Sequence, residues 1–389
     1  MRANPGGQIP PSEVIGRAQL IERLWTVLGR QSLVLSAERR MGKTCVVRKM
    51  QAGPPADMLP IYRDLEGIGT TLEFVRTVFD DVERYLGRLA RTAEKARRLL
   101  DRLSGGKVGE VEFPPSAARE WKPLLTSTIE DLIEHQDRRV VLFWDEVPLM
   151  LHNLIRREGE PAAMEVLDTL RSLRQMHPDL RMAFSGSIGM HQVINLLRRK
   201  GYANSPTNDM QTVNVPALSP DDGRHLARLL LQGEGIETDD VDATARAVTD
   251  AVDHIPHYIH HVVDQMATRG GAANADTARV IVTDCLIDPQ DVWDMGHYRR
   301  RVDTYYDETE EPLALSLLDV VAGSKGPLSF EDAFNLLKSQ TETEDDELAR
   351  HVLTLLQRDH YLVQDADGKY SFAYPLINRS WRLQRGLPA

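Results

Sequence analysis

The sequence predicts an α/β protein built on a parallel sheet with helices on both faces. Three observations predict it. Short apolar runs alternate with helical patterns as far as about Pro216, the order that builds a parallel sheet through crossover connections. One of these runs, Val140-Val141-Leu142-Phe143-Trp144, is the most apolar in the chain and ends in two carboxylates, Asp145 and Glu146. Beyond Pro216 the pattern turns helical to about residue 300, so the sheet is complete by then.

The elements follow in order. Residues 1–13 are rich in Pro and Gly and read as a flexible tail. "RAQLIERLWTVLGR" places Leu20, Ile21, Leu24 and Leu28 at helical spacing. "SLVLS" is too short for a helix and reads as a buried strand, with "TCVVRKMQA" a helix after the next loop. "MLPIYRDLEG" is a second strand. Residues 72–104 are a long charged helical stretch, and "GGKVGEVEF" reads as a small hairpin. "WKPLLTSTIEDLIEHQ" is an amphipathic helix, "RRVVLFWDEVP" and "RMAFSGSIG" are strands, and "MQTVNVPALS" is the last strand of the sheet. Helices are expected near 311–322, 329–339 and 344–358, then a hairpin, "YLVQDADGKYSFAY", turning at Asp367-Gly368.

Bulk composition narrows the class. A chain of 389 residues implies two or three domains. No apolar run approaches the roughly 20 residues that span a membrane, so no membrane partner is expected. The N-terminus has no apolar h-region, and no secretory leader is expected. Two cysteines, Cys45 and Cys285, make no disulfide framework, and the cytoplasm is the expected compartment. A net charge of −11 argues against strong nonspecific binding to nucleic acid.

The chemistry concentrates in "SAERRMGKTC", residues 36–45. A strand, a loop, Gly42-Lys43-Thr44 and a helix form the context of a phosphate-binding loop. Backbone N–H groups and a helix N-terminus make the anion site there. Lys43 would bind the β- and γ-phosphates and the Thr44 hydroxyl would bind Mg²⁺. The loop residues Arg40, Met41, Gly42, Lys43, Thr44 and Cys45 are the candidate contacts to ATP or ADP. Ala37 stands where the motif opens with glycine, which removes no catalytic atom, since alanine holds the turn at negative φ. Cys45 also reads as a small residue packed beneath the loop. Arg39 and Arg40 would touch phosphate, answer an acidic neighbour, or lie solvated.

The Asp145-Glu146 pair adds to this. Asp145 would hold the metal and Glu146 would polarise the attacking water; taken alone, the pair also reads as a solvated strand end that caps the next helix. Ser185, in Ser185-Gly186-Ser187, would contact the γ-phosphate or orient water, or is part of a plain Ser/Gly turn. Arg198 and Arg199 are candidates for a trans-acting arginine finger, or helix-end cations answering the dipole.

At this point the chain resembles the STAND-type P-loop ATPases of the AAA+-like additional-strand class, in their archaeal-type clade. The pieces that carry the resemblance are "VIGRAQLIERL", "ERRMGKT", "PIYRDLEGIGTTLEFV", "VVLFWDEVPLML" with its trailing Pro148, "FSGSIGM" and "DHIPHYIHHVVDQM". The resemblance implies a P-loop additional-strand sheet, a helical lid and a winged-helix domain. It places Ile15, Gly16 and Arg17 near the adenine, and Pro256 against the nucleotide from the lid. His254 stands where the lid motif usually has glycine. His257, His260 and His261 cluster nearby without metal-ligand spacing and read as packing or solvated residues. The implied domains are a tail over 1–13, a nucleotide-binding domain over 14–216 with an insertion near 72–124, a lid over 217–300 and a winged helix over 301–389. The insertion reads as a partner surface or a solvated helical arm.

The third winged-helix helix would begin Glu344-Asp345-Asp346-Glu347. Four carboxylates repel phosphate, which disfavours standard DNA reading, and they also favour the helix start itself. Arg379, Arg382 and Arg385 form a small basic tail. The expected function is an ATP-driven molecular switch acting through a protein partner or by self-assembly, as a homo-oligomer. The alternatives are a nucleic-acid-associated ATPase, similar to replication-initiator or transposition ATPases, and a non-hydrolysing nucleotide-binding scaffold.

Overall fold

The computed structural model describes residues 1–87, 93–104, 119–341 and 343–387. The expected hairpin at "GGKVGEVEF" lies outside the described residues. The chain divides into two compact units. One comprises Ala18–Ser36 and Lys43–Asn214; the other comprises Met1–Arg17, Ala37–Gly42 and Val215–Ala389.

The first unit runs α1 (Ala18–Leu28), β1 (Leu33–Ser36), α2 (Lys43–Ala52), β2 (Met58–Asp64), α3 (Thr71–Gly87), α4 (Glu94–Ser104), α5 (Trp121–Glu134), β3 (Arg139–Asp145), α6 (Val147–Glu158), α7 (Glu160–Met176), β4 (Leu180–Phe184), α8 (Met190–Arg199) and β5 (Gln211–Asn214). Its five strands form one sheet in the order β2-β3-β4-β1-β5, and every pair is parallel. β4 lies between the strand that precedes the phosphate loop and the strand that ends in Asp145. That placement is the additional strand. β3 is an interior strand, and Val140 to Asp145 are all buried, as a parallel strand covered on both faces requires. Register aligns Asp64 with Asp145 and Trp144 with Phe184. The Trp144 and Phe184 rings stack at 6.1 Å.

The stretch read as helical over 72–104 contains two helices, α3 and α4. They are anchored rather than solvated: Ala93, Ala96 and Leu100 are buried. The carboxylate of Asp131 on α5 accepts the Lys95 and Ala96 N–H groups at 3.1 and 2.9 Å. These are helix-start donors that the helix itself leaves unpaired.

The second unit runs α9 (Pro220–Gly233), α10 (Val241–Ala251), α11 (Pro256–Arg269), α12 (Ala275–Ile287), α13 (His297–Tyr305), α14 (Glu310–Gly323), α15 (Phe330–Gln340), α16 (Asp346–Arg358), β6 (Leu362–Gln364), β7 (Tyr370–Phe372) and α17 (Pro375–Arg385). Sequence-coded caps start several of these helices. Ser219, Asp240, Asn274, Ser329 and Asp345 each accept a backbone N–H of the following turn, each worth about 1 kcal/mol. The acidic run at 344–347 therefore begins a helix, with Asp345 as its cap. β6 and β7 pair antiparallel around the expected Asp367-Gly368 turn.

One expectation changes here. The basic tail is a helix, α17. It docks through Leu376, Ile377 and Trp381, all buried, and Asp319 accepts both the Trp381 indole N–H at 2.8 Å and the Arg385 guanidinium at 2.6 Å. Among the described residues, no helix is long and apolar enough to cross a membrane.

Candidate functional site

The end of β3 delivers Asp145 into a polar cluster. Its Oδ2 accepts from the Thr44 hydroxyl at 2.7 Å and from the Tyr62 hydroxyl at 3.3 Å. Its Oδ1 accepts from the Ser185 hydroxyl at 2.6 Å. The carboxylate is 5% exposed and Lys43 is 9% exposed. Thr44 stands in the first turn of α2, 101 residues away in sequence, so strand order alone brings these groups together. A hydroxyl and a carboxylate in contact form a hard-oxygen pair of the type Mg²⁺ takes, together with water and phosphate oxygens. Among the described residues, no group of three or more His, Cys, Asp and Glu side chains could hold a metal by itself.

Glu146 follows at φ 57°, ψ 30°, the left-handed conformation, where it begins α6. This turn aims its carboxylate at Ser187, whose N–H donates to both oxygens at 3.0 Å and whose hydroxyl donates to Oε2 at 2.9 Å. Burial raises the Glu146 carboxyl above its ordinary range; the Ser187 bonds and Lys43 oppose this. Gly186 lies between the two serines because space forbids more: a Cβ there would meet Pro148 Cδ at 2.7 Å. Ser185 thus spends its hydroxyl on Asp145, and Ser187, which the sequence reading left without a role, engages Glu146.

Residues Ala37–Gly42 belong to the second unit, and its own side chains hold them. Arg17 donates to the Met41 carbonyl at 2.7 Å and to the Pro216 carbonyl at 2.8 Å. Arg40 and Gly42 have φ of 75° and 84°; glycine tolerates this freely, whereas arginine requires support. Arg40 has it, bonded to the His257 ring. Arg39 pairs with Asp294, so it answers an acidic neighbour. Glu38 was not singled out in the sequence, yet it is 1% exposed and accepts from Arg301 at 2.9 and 3.1 Å. Burial pushes its carboxyl up; Arg301, and then His297 and the Arg39 N–H, overcome this and hold it at about 2.

The remaining expected residues fall as follows. Gly16 has φ 68°, and a Cβ there would meet Asp222 Cβ at 2.5 Å. Pro256 opens α11 at a helix start that carries no side-chain cap. His254 has φ 57°, a conformation that glycine adopts without strain. Cys45 is half-buried in the first turn of α2. Arg198 and Arg199 are exposed in the last turn of α8.

The histidines of α11 are packed. His257 and His261 rings lie 4.7 Å apart, and His260 Nδ1 accepts the Asn4 N–H at 3.1 Å. Burial, with Arg40 next in importance, pushes His257 down to about 2; burial pushes His260 and His261 down to about 4. A folded state that resists protonation at these rings is stabilised above the unfolded value of 6.5 and loses that stability as pH falls below it. The melting midpoint is therefore expected to drop from pH 6.5 toward pH 4, and His260→Asn should flatten the drop. A wild-type midpoint that holds constant over this interval would contradict neutral, buried imidazoles.

No protein-family model matches the chain, and no curated protein matches it. Solved structures do. A Walker-type ATPase of Pyrococcus abyssi superposes with a TM-score of 0.64 at 15% identity, over 98% of this chain and 100% of that one. The ORC2 protein of Aeropyrum pernix, solved as ADPNP–ADP complexes, superposes with a TM-score of 0.55 at 11% identity, over 98% of each chain. The chain has a P-loop ATPase fold. At these identities the likeness concerns the fold, and the chemistry rests on the residues above.

Proposed function

We propose that this protein binds ATP with Mg²⁺, hydrolyses it, and uses the cycle as a switch acting on a protein partner or on its own assembly. The observation that carries the proposal is the 2.7 Å contact between the Thr44 hydroxyl and Asp145. It joins the helix after the phosphate loop to the end of β3. The oxygens of Thr44 and Asp145 would hold Mg²⁺, which when bound neutralises charge on the phosphates. Lys43 binds the β- and γ-phosphates. Glu146, raised by burial and oriented by Ser187, accepts a hydrogen bond from the attacking water and fixes its line of approach. On this reading Met41, Gly42 and Cys45 would frame the phosphates along the same stretch of chain, and the resemblance to STAND-type ATPases implies contacts to the nucleotide from Gly16, Arg17 and Pro256. The STAND-type archaeal clade, the lid over 217–300 and the winged helix over 301–389 belong to the same reading. Retention of both Asp145 and Glu146 favours hydrolysis over a passive scaffold. Asp345 as a helix cap gives the acidic run a structural use, and nothing in that run invites DNA.

Lys43→Ala tests the site. ATP binding, followed by titration calorimetry with Mg²⁺, is expected to fall by at least about 100-fold, the loss of a charge-assisted contact of 2–3 kcal/mol or more. Unchanged affinity would overturn the assignment. A rise in turnover on adding DNA would instead favour the nucleic-acid reading.

A further inference from the structure

Arg301 is shared between two carboxylates. One edge of its guanidinium, Nη1, bonds both oxygens of Glu38 at 2.9 and 3.1 Å. The other, Nη2, reaches the Asp359 carbonyl at 3.3 Å and its Oδ1 at 3.4 Å. Glu38 belongs to the phosphate loop. Asp359 ends α16, the third helix of the C-terminal group, and the Tyr306 hydroxyl donates to its Oδ2 at 2.8 Å. The guanidinium lies 5.3 Å from the Tyr361 ring centre, and the Tyr361 hydroxyl donates to the Tyr298 carbonyl at 2.7 Å. The partners of Arg301 are buried: Glu38 and Asp359 are nearly inaccessible and Tyr361 is wholly so, while the Arg301 side chain is 14% exposed. His297 Nε2 also stands near, 3.8 Å from Glu38.

Such a shared cation is a two-state element. In a low-dielectric interior each carboxylate needs a partner, because an unpaired buried charge is costly. The present bonds are unequal, shorter to Glu38 than to Asp359. A displacement of Glu38 by tenths of an ångström shifts the guanidinium toward Asp359, and a displacement of Asp359 does the reverse. Chain continuity adds the consequence: Glu38 is five residues before Lys43 in the same loop.

We propose that Glu38 and Arg301 are positioning residues for the phosphate loop, and that Arg301, shared with Asp359, couples the loop's conformation to the end of α16. The device links the nucleotide site to the C-terminal helices without either touching the other's ligand. It names the regulation of the site described above and rests on the ATP reading for its ligand. Coupling of this kind is reciprocal: whatever partner displaces α16 changes nucleotide affinity, and nucleotide changes the partner's affinity by the same factor.

The test uses the full chain and two substitutions of near-constant shape. Glu38→Gln removes the strong partner from Arg301 and loosens the loop. Asp359→Asn removes the competitor and lets Arg301 hold Glu38 alone. ATP affinity with Mg²⁺ is expected to weaken about 5-fold or more in the first and to tighten about 5-fold in the second. Opposite signs are the signature, since merely structural damage would move both variants the same way. In parallel, amide hydrogen exchange over 355–362 is compared between wild type and Glu38→Gln without nucleotide. Faster exchange at those amides supports coupling even if the chain proves to bind no ATP, so this arm separates the two readings. Affinities within twofold of wild type in both variants, shifts of the same sign, or unchanged exchange over 355–362 would overturn the proposal. If Glu38→Gln fails to fold, the tightening in Asp359→Asn decides alone.

Discussion

Glu146→Gln is expected to lower the maximal rate of ATP hydrolysis by about 10²–10⁴-fold, the range that a positioned acid–base group supplies, with ATP affinity kept within a few-fold. The substitution preserves shape, and the amide oxygen can still accept from Ser187, which donates to both carboxylate oxygens in the native protein. What disappears is the charge that draws the water. Burial already raises this carboxyl, so it is a stronger base than an exposed glutamate. Ser187 keeps it aimed, and Lys43 opposes its protonation. Equal turnover in the variant would transfer the water-orienting role elsewhere, whereas loss of binding together with turnover would show that Glu146 supports the fold of the loop region instead. Rapid-quench measurement of the chemical step separates these outcomes from slow product release.

The second large effect concerns Arg301→Met. Breaking a buried ion pair by removing one partner costs about 3–5 kcal/mol, because the other charge stays behind. Here two carboxylates, Glu38 and Asp359, would be left without their guanidinium. Urea unfolding of the variant should show that loss. Glu38→Gln in the same chain should return a large part of it, since the strongest unpaired charge is then gone. The sign with pH follows from Glu38, held at about 2 against an ordinary 4.5. Its stabilisation is present above pH 4.5 and is lost as pH falls toward 2. A loss below about 1 kcal/mol in Arg301→Met at neutral pH would mean that water reaches the network and screens it.

Much of the sheet was legible because periodicity and length are local signals. "SLVLS" and "RRVVLFWDEVP" could only be strands, and both are. The Thr44–Asp145 contact was legible too, because both motifs follow the same end of parallel strands, β1 and β3, in one sheet. The loop's supports were not. Glu38 and Arg301 are 263 residues apart, and no local pattern marks which arginine of Arg299-Arg300-Arg301 faces inward. Helical geometry sorts them only once the core is known: Arg301 is adjacent to buried Val302 and three residues from buried Tyr298, whereas Arg299 pairs outward with Asp303. Helix α17 was hidden for a related reason. Its charges read as a basic tail, and the buried face of Leu376, Ile377 and Trp381 makes sense only with Asp319 in place to receive the indole. Ser187 escaped because a Ser/Gly turn carries no sign of which hydroxyl will point at the carboxylate.

Phosphate release from ATP by the purified chain, followed continuously with Mg²⁺ and again after chelation by EDTA, bears on the proposed activity more directly than any substitution. The geometry of Thr44, Asp145 and Glu146 predicts turnover with Mg²⁺ that stops on chelation and resumes when the metal is restored. Turnover indifferent to the metal, or none at all together with no measurable ATP binding, would contradict it.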